Sequence, residues 1–139
     1  MPELTRSVLQ FLSEHDIGVV ATERPDGLPR QTVVYHVLDG EKILISTTHD
    51  RAKARDVERT GRASYAVVGP AKPHPQVVVT GPARILREGI ADATGRIFGR
   101  ITGTAPDPPL TDEMLAGMNR VILEITIERV AAASYLQES

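Results

Sequence analysis

Two strand-like runs joined by a tight turn constrain the fold of this chain more than any other feature. Residues 31–38 and 42–47 are rich in β-branched and other apolar residues, and Asp39-Gly40 stands between them. An Asp-Gly pair between two such runs is one of the stronger hairpin signals, because both residues tolerate the positive φ of a tight turn. The two strands are therefore predicted to be antiparallel neighbours.

The rest of the chain continues this pattern of strands with occasional helices. Because the strands are mostly linked by hairpins, and the helices do not alternate regularly with them, a doubly wound parallel sheet is disfavoured. We predict an α+β, mainly β fold: a split barrel of about six mostly antiparallel strands with three or four flanking helices, in one domain over 1–139. Besides the hairpin, strands are predicted over 17–22, 62–68, 76–86 and 119–130, and helices over 3–14, 51–59, 89–101 and from Thr111 onward.

Composition excludes several classes of protein. The net charge is −2 and the charges are interspersed, which does not suit a nucleic-acid partner. No apolar run reaches the length of a membrane span. The absence of cysteine excludes disulfides and thiolate chemistry, and with an N-terminus that lacks a signal pattern it favours the cytoplasm.

The most informative stretch for function lies after the third predicted strand. The strand ends in three hydroxyls, Ser46, Thr47 and Thr48, and the next helix has Arg51 and Lys53 at its start. Asp50 is predicted to cap that helix. Cations usually avoid a helix N-terminus, where the macrodipole is already positive, unless an anion is bound there. The stretch therefore suggests an anion site, although a plain solvated helix face that includes Arg51, Lys53, Arg55 and Arg59 remains an alternative.

Other kinds of chemistry find little support in the sequence. The histidines His15, His36, His49 and His74 lack the spacing of a metal site, so no metal is expected. There is no Gly-x-Ser-x-Gly elbow, and the glycines at 99–103 are not followed by the Lys-Ser/Thr of a phosphate loop. An anion site with few acid–base groups suits a phosphorylated cofactor that carries its own chemistry.

Several motifs in order resemble the flavin-binding split-barrel superfamily, the pyridoxamine-phosphate-oxidase-like group. Among its branches, the small actinobacterial proteins that bind the deazaflavin coenzyme F420 are the most similar. The similarity spans nearly the whole chain. It is carried by 17–22, Asp26-Gly27-Leu28-Pro29, 51–56, Gly61-Arg62-Ala63-Ser64 and Val79-Thr80-Gly81-Pro82-Ala83.

The resemblance implies a homodimer with two cofactor sites between its subunits. It implies that Arg51, Ala52 and Lys53 hold the phosphate end of the cofactor. It places Thr47 and Thr48, together with Gln31 and Thr32, along the ring and linker, and Gln76 of the partner subunit nearby. An aromatic residue often follows the last strand in this family, and here only Tyr135 is available at that place. Which residue packs over the cofactor ring is therefore not assigned.

The function expected from this resemblance is an F420-binding oxidoreductase that transfers hydride from reduced deazaflavin to an unsaturated small molecule. No catalytic side chain is assigned. An oxidoreductase that uses flavin mononucleotide (FMN) is the alternative enzyme. A cofactor carrier without a reaction of its own, and a structural dimer that has lost its ligand, are the alternatives from other classes.

Overall fold

Four helices and seven strands make up the fold in the computed structural model, which describes residues 3–136. The predicted strands at 62–68 and 76–86 match the observed ones. Apart from the strand predicted over 119–130, the ends of the other predicted elements differ from the observed ends by at most three residues. In chain order the elements are α1 (Arg6–Glu14), β1 (Ile17–Glu23), β2 (Pro29–Asp39), β3 (Lys42–Thr48), α2 (Ala52–Thr60), β4 (Arg62–Val68), β5 (Gln76–Leu86), α3 (Ala91–Thr102), α4 (Asp112–Gly117), β6 (Arg120–Thr126) and β7 (Arg129–Ser134).

Six of the strands close into an antiparallel barrel. The ring runs β1, β2, β3, β6, β5, β4 and back to β1, and β7 adds to the outside of the ring by pairing with β5. This arrangement confirms the predicted split-barrel α+β fold. None of the helices within residues 3–136 is long and apolar enough to cross a membrane.

The single strand predicted over 119–130 is wrong, because the chain breaks there into β6 and β7. At the break, the Ile127 N–H donates to the Glu41 carbonyl and the Glu128 N–H donates to the Thr80 carbonyl. The carbonyl of Thr126 also comes so close to Gly81 that a Cβ there would lie 1.8 Å from it. Gly81 therefore permits the close approach of the two segments of the chain, because it has no side chain there.

The main hydrophobic core fills the barrel. Inward-facing residues of the strands, such as Ile43, Ile45 and Leu123, are buried there. Leu12 of α1 and Val57 of α2 join the same cluster, so these two helices contribute apolar side chains to the barrel interior.

A second hydrophobic cluster lies outside the barrel wall. Val37, Leu44 and Ile122 face outward from β2, β3 and β6 and pack against α3 and α4, which supply Ile90, Ile97 and Leu115. This explains why Ile122 breaks the alternation of β6: both faces of that strand are covered.

The start of α3 is capped from another helix. No side chain at its N-cap residue, Ile90, makes a capping bond. Instead the Asp112 carboxylate accepts the backbone N–H groups of Gly89, Ile90 and Ala91 at 2.7, 3.1 and 3.1 Å. These bonds satisfy amides that a helix start otherwise leaves free, and they tie α3 to α4.

One polar pair is enclosed in the barrel. His36 and Tyr65 are fully buried, and the His36 Nδ1 lies 2.6 Å from the Tyr65 hydroxyl. The His36 Nε2 is 2.9 Å from the Leu12 carbonyl, so Nε2 carries the proton and Nδ1 accepts the tyrosine O–H. Burial lowers the pKa of His36, which keeps the ring neutral.

Candidate functional site

The two strands of the predicted hairpin separate along part of their length. β2 pairs with β1 over Pro29–Tyr35, but its pairing with β3 covers only His36–Asp39. On β3, this pairing ends at Ile45, so the three hydroxyl residues lie beyond it. We call the opening between the first half of β2 and the end of β3 the fork.

Side-chain alternation divides the three hydroxyls at the end of β3. Thr47 is only 4% exposed, on the strand face whose neighbour Ile45 belongs to the barrel core, whereas Ser46 and Thr48 lie on the opposite face. The Thr48 hydroxyl donates to the Asp50 carboxylate at 2.6 Å. Ser46 and Thr48 are therefore the hydroxyl side chains on the outer face, and Thr47 offers that face only its backbone.

The predicted cap of α2 is wrong. Asp50 precedes the N-cap residue, which is Arg51, and Arg51 makes no side-chain capping bond. The Asp50 carboxylate is instead bound by Thr48, because that hydroxyl is two residues away and within reach. Since the first backbone bond of α2 runs from the Ala54 N–H to the Arg51 carbonyl, the amides of Ala52 and Lys53 have no intrahelical acceptor. The positive end of a nine-residue helix thus points out of the fold beside β3.

Three cations gather around this helix start. Lys53 is half-buried, and its pKa is lowered first by that burial and then by the nearby charges of Arg51 and Arg120. Arg120 lies on β6 directly opposite Thr48, and its guanidinium approaches the Ser46 hydroxyl oxygen at 3.4 Å. The sequence-based reasoning missed Arg120, because only the β3–β6 register places it here.

The carboxylates of α2 are bound elsewhere. Asp56 is buried and accepts bonds from Thr22, Arg30 and Arg59 at 2.8, 2.8 and 3.3 Å. Burial alone would raise the pKa of Asp56, but these bonds outweigh it and the pKa is lowered. Glu58 is likewise engaged, at 2.7 Å from Arg87 and 3.2 Å from His49.

Among residues 3–136, the cations at the fork form no salt bridges. Within residues 3–136, no carboxylate oxygen lies within 4 Å of the side-chain nitrogens of Arg51, Lys53 or Arg120. Like charges without a partner repel one another, so the arrangement favours binding of an anion. Arg51 and Arg55 are exposed, as the solvated-face alternative expects, whereas Lys53 is half-buried.

The remaining predicted residues divide between two regions. Gln31, which is exposed, and Thr32, which is half-buried, lie on the β2 arm of the fork. Gln76 begins β5, where it pairs with Val68 and Ser134, and β1 and β4 separate it from β2. One protomer therefore does not bring Gln76 to the fork.

A cavity of about 650 Å³ lies elsewhere, on the outer side of β1, β4 and β5. Its lining includes Glu23, Arg62, Gly81 and Arg129, and none of the predicted cofactor residues. This cavity therefore does not coincide with the fork.

Comparison with known proteins supports the assignment of the fold. The model of the family described as pyridoxamine 5'-phosphate oxidase matches residues 4–133. A conserved hypothetical protein from Mycobacterium tuberculosis is 24% identical, with 92% of this chain and 83% of that chain covered and a TM-score of 0.76. An F420 reductase is 26% identical, with 96% and 98% covered and a TM-score of 0.69. HutZ, the heme storage protein from Vibrio cholerae, is 16% identical, with 95% and 96% covered and a TM-score of 0.67.

Proposed function

Because this chain belongs to the pyridoxamine 5'-phosphate oxidase family, we propose that it is an oxidoreductase that binds a phosphorylated redox cofactor at the fork. The observation that carries the proposal is the cluster of unpaired cations and hydroxyls where β3 meets α2. Free helix amides, cations and a hydroxyl donor at one place are the groups that hold phosphate in proteins.

The cofactor we propose is coenzyme F420, with FMN as the alternative. The similarity to an F420 reductase over nearly the whole length of both chains supports this choice. A heme storage protein has the same fold, so a cofactor carrier is the competing class of function. Stopped-flow kinetics distinguish a carrier from an enzyme.

The residues of the fork fit such a cofactor in a defined order. Arg51 and Lys53, with the free amides of Ala52 and Lys53, would hold its phosphate. The Ser46 hydroxyl accepts from Arg120, which leaves its own hydrogen to donate to a phosphate oxygen.

The strand residues of the fork would hold the rest of the cofactor. Gln31 would line the ring and linker along β2, with Thr48 across the fork, whereas Thr32, which is paired with the core residue Val20, would contribute its backbone. Thr47, whose side chain faces the barrel interior, would contribute only its backbone.

The chemistry belongs to the cofactor, and the protein supplies position. Reduced deazaflavin supplies a hydride, and an unsaturated small molecule would accept it. The chain's part is to fix the phosphate end, so that the ring lies in one orientation against the substrate, and to keep water away from the reacting atoms.

A homodimer is part of the proposal, since the fork of one protomer is open. The outer face of the barrel carries apolar side chains that water would otherwise contact: Val33 is 70% exposed in the middle of β2, and Ile17 and Val68 are 44% and 58% exposed on β1 and β4. A second copy that covers this face would bring Gln76 of the partner subunit, and Tyr135 of the partner subunit, toward the cofactor ring.

We place the protein in the cytoplasm, in keeping with a chain that contains no cysteine.

Binding and turnover can be tested separately. Purified protein is titrated with F420 and with FMN, and cofactor fluorescence gives the two dissociation constants. We expect tighter binding of F420; tighter binding of FMN would replace the first cofactor with the second, and binding of neither would reject the proposal. Stopped-flow oxidation of bound, reduced cofactor by a panel of enones and quinones then separates an enzyme, which accelerates at least one reaction, from a carrier, which accelerates none.

A further inference from the structure

Two parts of the chain, the start of α2 and the start of β6, contribute the cations of the fork. Arg51 stands at the turn after β3, Lys53 lies in the first turn of α2, and Arg120 begins β6. Among residues 3–136, no carboxylate pairs directly with these three cations, so each disfavours the charge of the others and keeping them together is costly. The pKa of Lys53 is lowered first by its burial and then by the charges of Arg51 and Arg120.

Arg120 is held toward the fork from two sides. Its guanidinium carbon lies 5.4 Å from the centre of the Phe98 ring of α3, within the range of a cation–π contact. One of its nitrogens donates to the Ser46 hydroxyl oxygen at 3.4 Å. A long side chain that is partly buried and contacted on both sides loses less freedom when it binds a ligand, so Arg120 is prepared to accept an anion.

The charge of the cluster indicates the class of ligand. One acidic side chain, Asp50, lies beside the cluster: its pKa is lowered chiefly by the Thr48 hydrogen bond, and the charges of Arg51 and Arg55 add to the lowering. Even with Asp50 counted, Arg51, Lys53 and Arg120 leave an excess of two positive charges. A ligand with a single negative charge would leave one positive charge uncompensated, and a ligand with two negative charges would leave none.

We propose that Arg120 is the third cation of the anion site and that the site takes a ligand which presents two negative charges together. This rests on the proposed function, in that it assigns the fork to the phosphate end of the cofactor. Two sources have this chemistry: a phosphomonoester dianion, as in FMN, or a phosphodiester with a carboxylate close by, as in the tail of F420.

The first test needs no cofactor. Thermal unfolding is followed at pH 8 in inorganic phosphate, mostly a dianion there, and in dimethyl phosphate, a monoanion, with sodium chloride holding the ionic strength constant. For the wild type we expect phosphate to raise Tm at concentrations about tenfold or more below those of dimethyl phosphate. Equal half-saturation by the two anions would reject the requirement for two charges.

Variants assign the response to Arg120. In Arg120→Gln we expect the phosphate-induced rise in Tm to be largely lost, and Arg120→Lys should retain part of it. Arg129, which is exposed and begins β7 as Arg120 begins β6, is the matched control, so Arg129→Gln should respond like the wild type. A full response in Arg120→Gln would remove Arg120 from the site, and near-ultraviolet circular dichroism shows whether the variant is folded.

A second test distinguishes this inference from the proposed function. FMN is compared with riboflavin, and F420 with its phosphate-free deazaflavin, on wild type and Arg120→Gln. Loss of affinity of about tenfold or more for FMN alone identifies the monoester as the ligand, and the same loss for F420 alone identifies the diester with its tail. If F420 binds both proteins equally, the proposed function stands and this inference fails. If neither cofactor binds but phosphate still stabilises the wild type through Arg120, the anion site stands and the cofactor assignment fails.

Discussion

At the scale of single residues, Lys53 is the side chain whose surroundings are hardest to explain without a ligand. It is half-buried near two arginines, although burial and like charge both disfavour its ammonium form. A structural lysine would be expected to point into solvent or to bind a carboxylate.

We predict that Lys53→Ala weakens cofactor binding by about 1.5–3 kcal/mol, the range for hydrogen bonds to charged groups. The fold should be unaffected, because the change also removes repulsion in the free protein. Fluorescence titration of the cofactor measures the effect. Lys72→Ala, in an exposed loop, is the matched control and should bind like the wild type. An unchanged dissociation constant in Lys53→Ala would remove Lys53 from the site.

The buried histidine makes stability depend on pH. Burial is the largest cause of the lowered pKa of His36, with Arg100 and His15 adding to it and the Leu12 carbonyl and Asp16 opposing it. The unfolded chain therefore binds a proton at a pH where the folded chain does not. This contribution to stability is complete above about pH 6.5 and is lost as the pH falls toward the lowered pKa of the folded state.

We predict that the free energy of unfolding falls as the pH drops below about 6.5, by at most about 1.4 kcal/mol per pH unit through this group. In His36→Gln the slope in that window should flatten, while stability at pH 7.5 decreases because the bond to Tyr65 is altered. Urea unfolding at several pH values measures both. His74→Asn is the control, since His74 is an exposed loop residue with φ 65° that asparagine tolerates. A slope unchanged in His36→Gln would contradict the assignment.

The placement of some candidate residues could be predicted from sequence and that of others could not. Arg51, Lys53 and Ser46 lie together because a strand runs into a helix there, which is local information. The inward orientation of Thr47 depends on which face of β3 meets the barrel, and the position of Arg120 depends on register between strands far apart in sequence. Asp50 was misassigned because a nearer hydroxyl competes for its carboxylate.

At the scale of elements, α3 depends on a cap that its own sequence does not contain. The Asp112 carboxylate is held ionised chiefly by the Gly89 N–H, with the Ile90 and Ala91 amides adding to it, so its pKa is lowered. The contribution of this cap to stability is present above about pH 3.8 and is lost as the pH falls through the lowered pKa.

We predict that Asp112→Ala lowers Tm and speeds amide hydrogen exchange in the first turn of α3, because three backbone donors lose their acceptor. Glu113→Ala, its exposed neighbour in the same helix, should change neither measurement. Faster exchange in both variants alike would mean that α4 as a whole, and not the Asp112 cap, protects α3.

The close approach of Gly81 in β5 to the end of β6 can be tested with a glycine substitution and a matched control. A Cβ on Gly81 would lie 1.8 Å from the Thr126 carbonyl oxygen, a backbone atom that cannot move alone, whereas a Cβ on Gly95 in α3 meets nothing within 4 Å. We predict that Gly81→Ala destabilises the protein by more than about 2 kcal/mol and that Gly95→Ala is neutral or stabilising by up to about 1 kcal/mol. Denaturant unfolding measures both, and equal stability of the two variants would contradict the close approach.

Elements with local signals were predictable, and elements set by the barrel were not. The strands β4 and β5 are bounded by glycine and proline and match their predicted ranges. The break between β6 and β7 has no such signal, because it arises where Ile127 turns toward Glu41 and leaves the line of β6.

At the scale of the whole molecule, the exposed apolar face tests the proposed dimer. Val33 is its most exposed apolar residue, at 70%, and is in register with Val19 of β1. We predict that Val33→Glu gives a monomer in analytical ultracentrifugation and weakens cofactor binding, since a buried charge without a partner opposes association. Leu28→Glu, at a turn where Leu28 is 57% exposed, is the control and should remain dimeric. A dimer that survives Val33→Glu would place the interface elsewhere.

The fork between β2 and β3 also affects how the protein behaves in the cell before it meets a ligand. Where the two strands separate, each presents main-chain donors and acceptors that a stray extended segment of another polypeptide could join. Freshly synthesised chains are therefore exposed to aggregation for as long as that opening is uncovered. If the proposed cofactor fills the fork, its supply would govern how much of the protein accumulates.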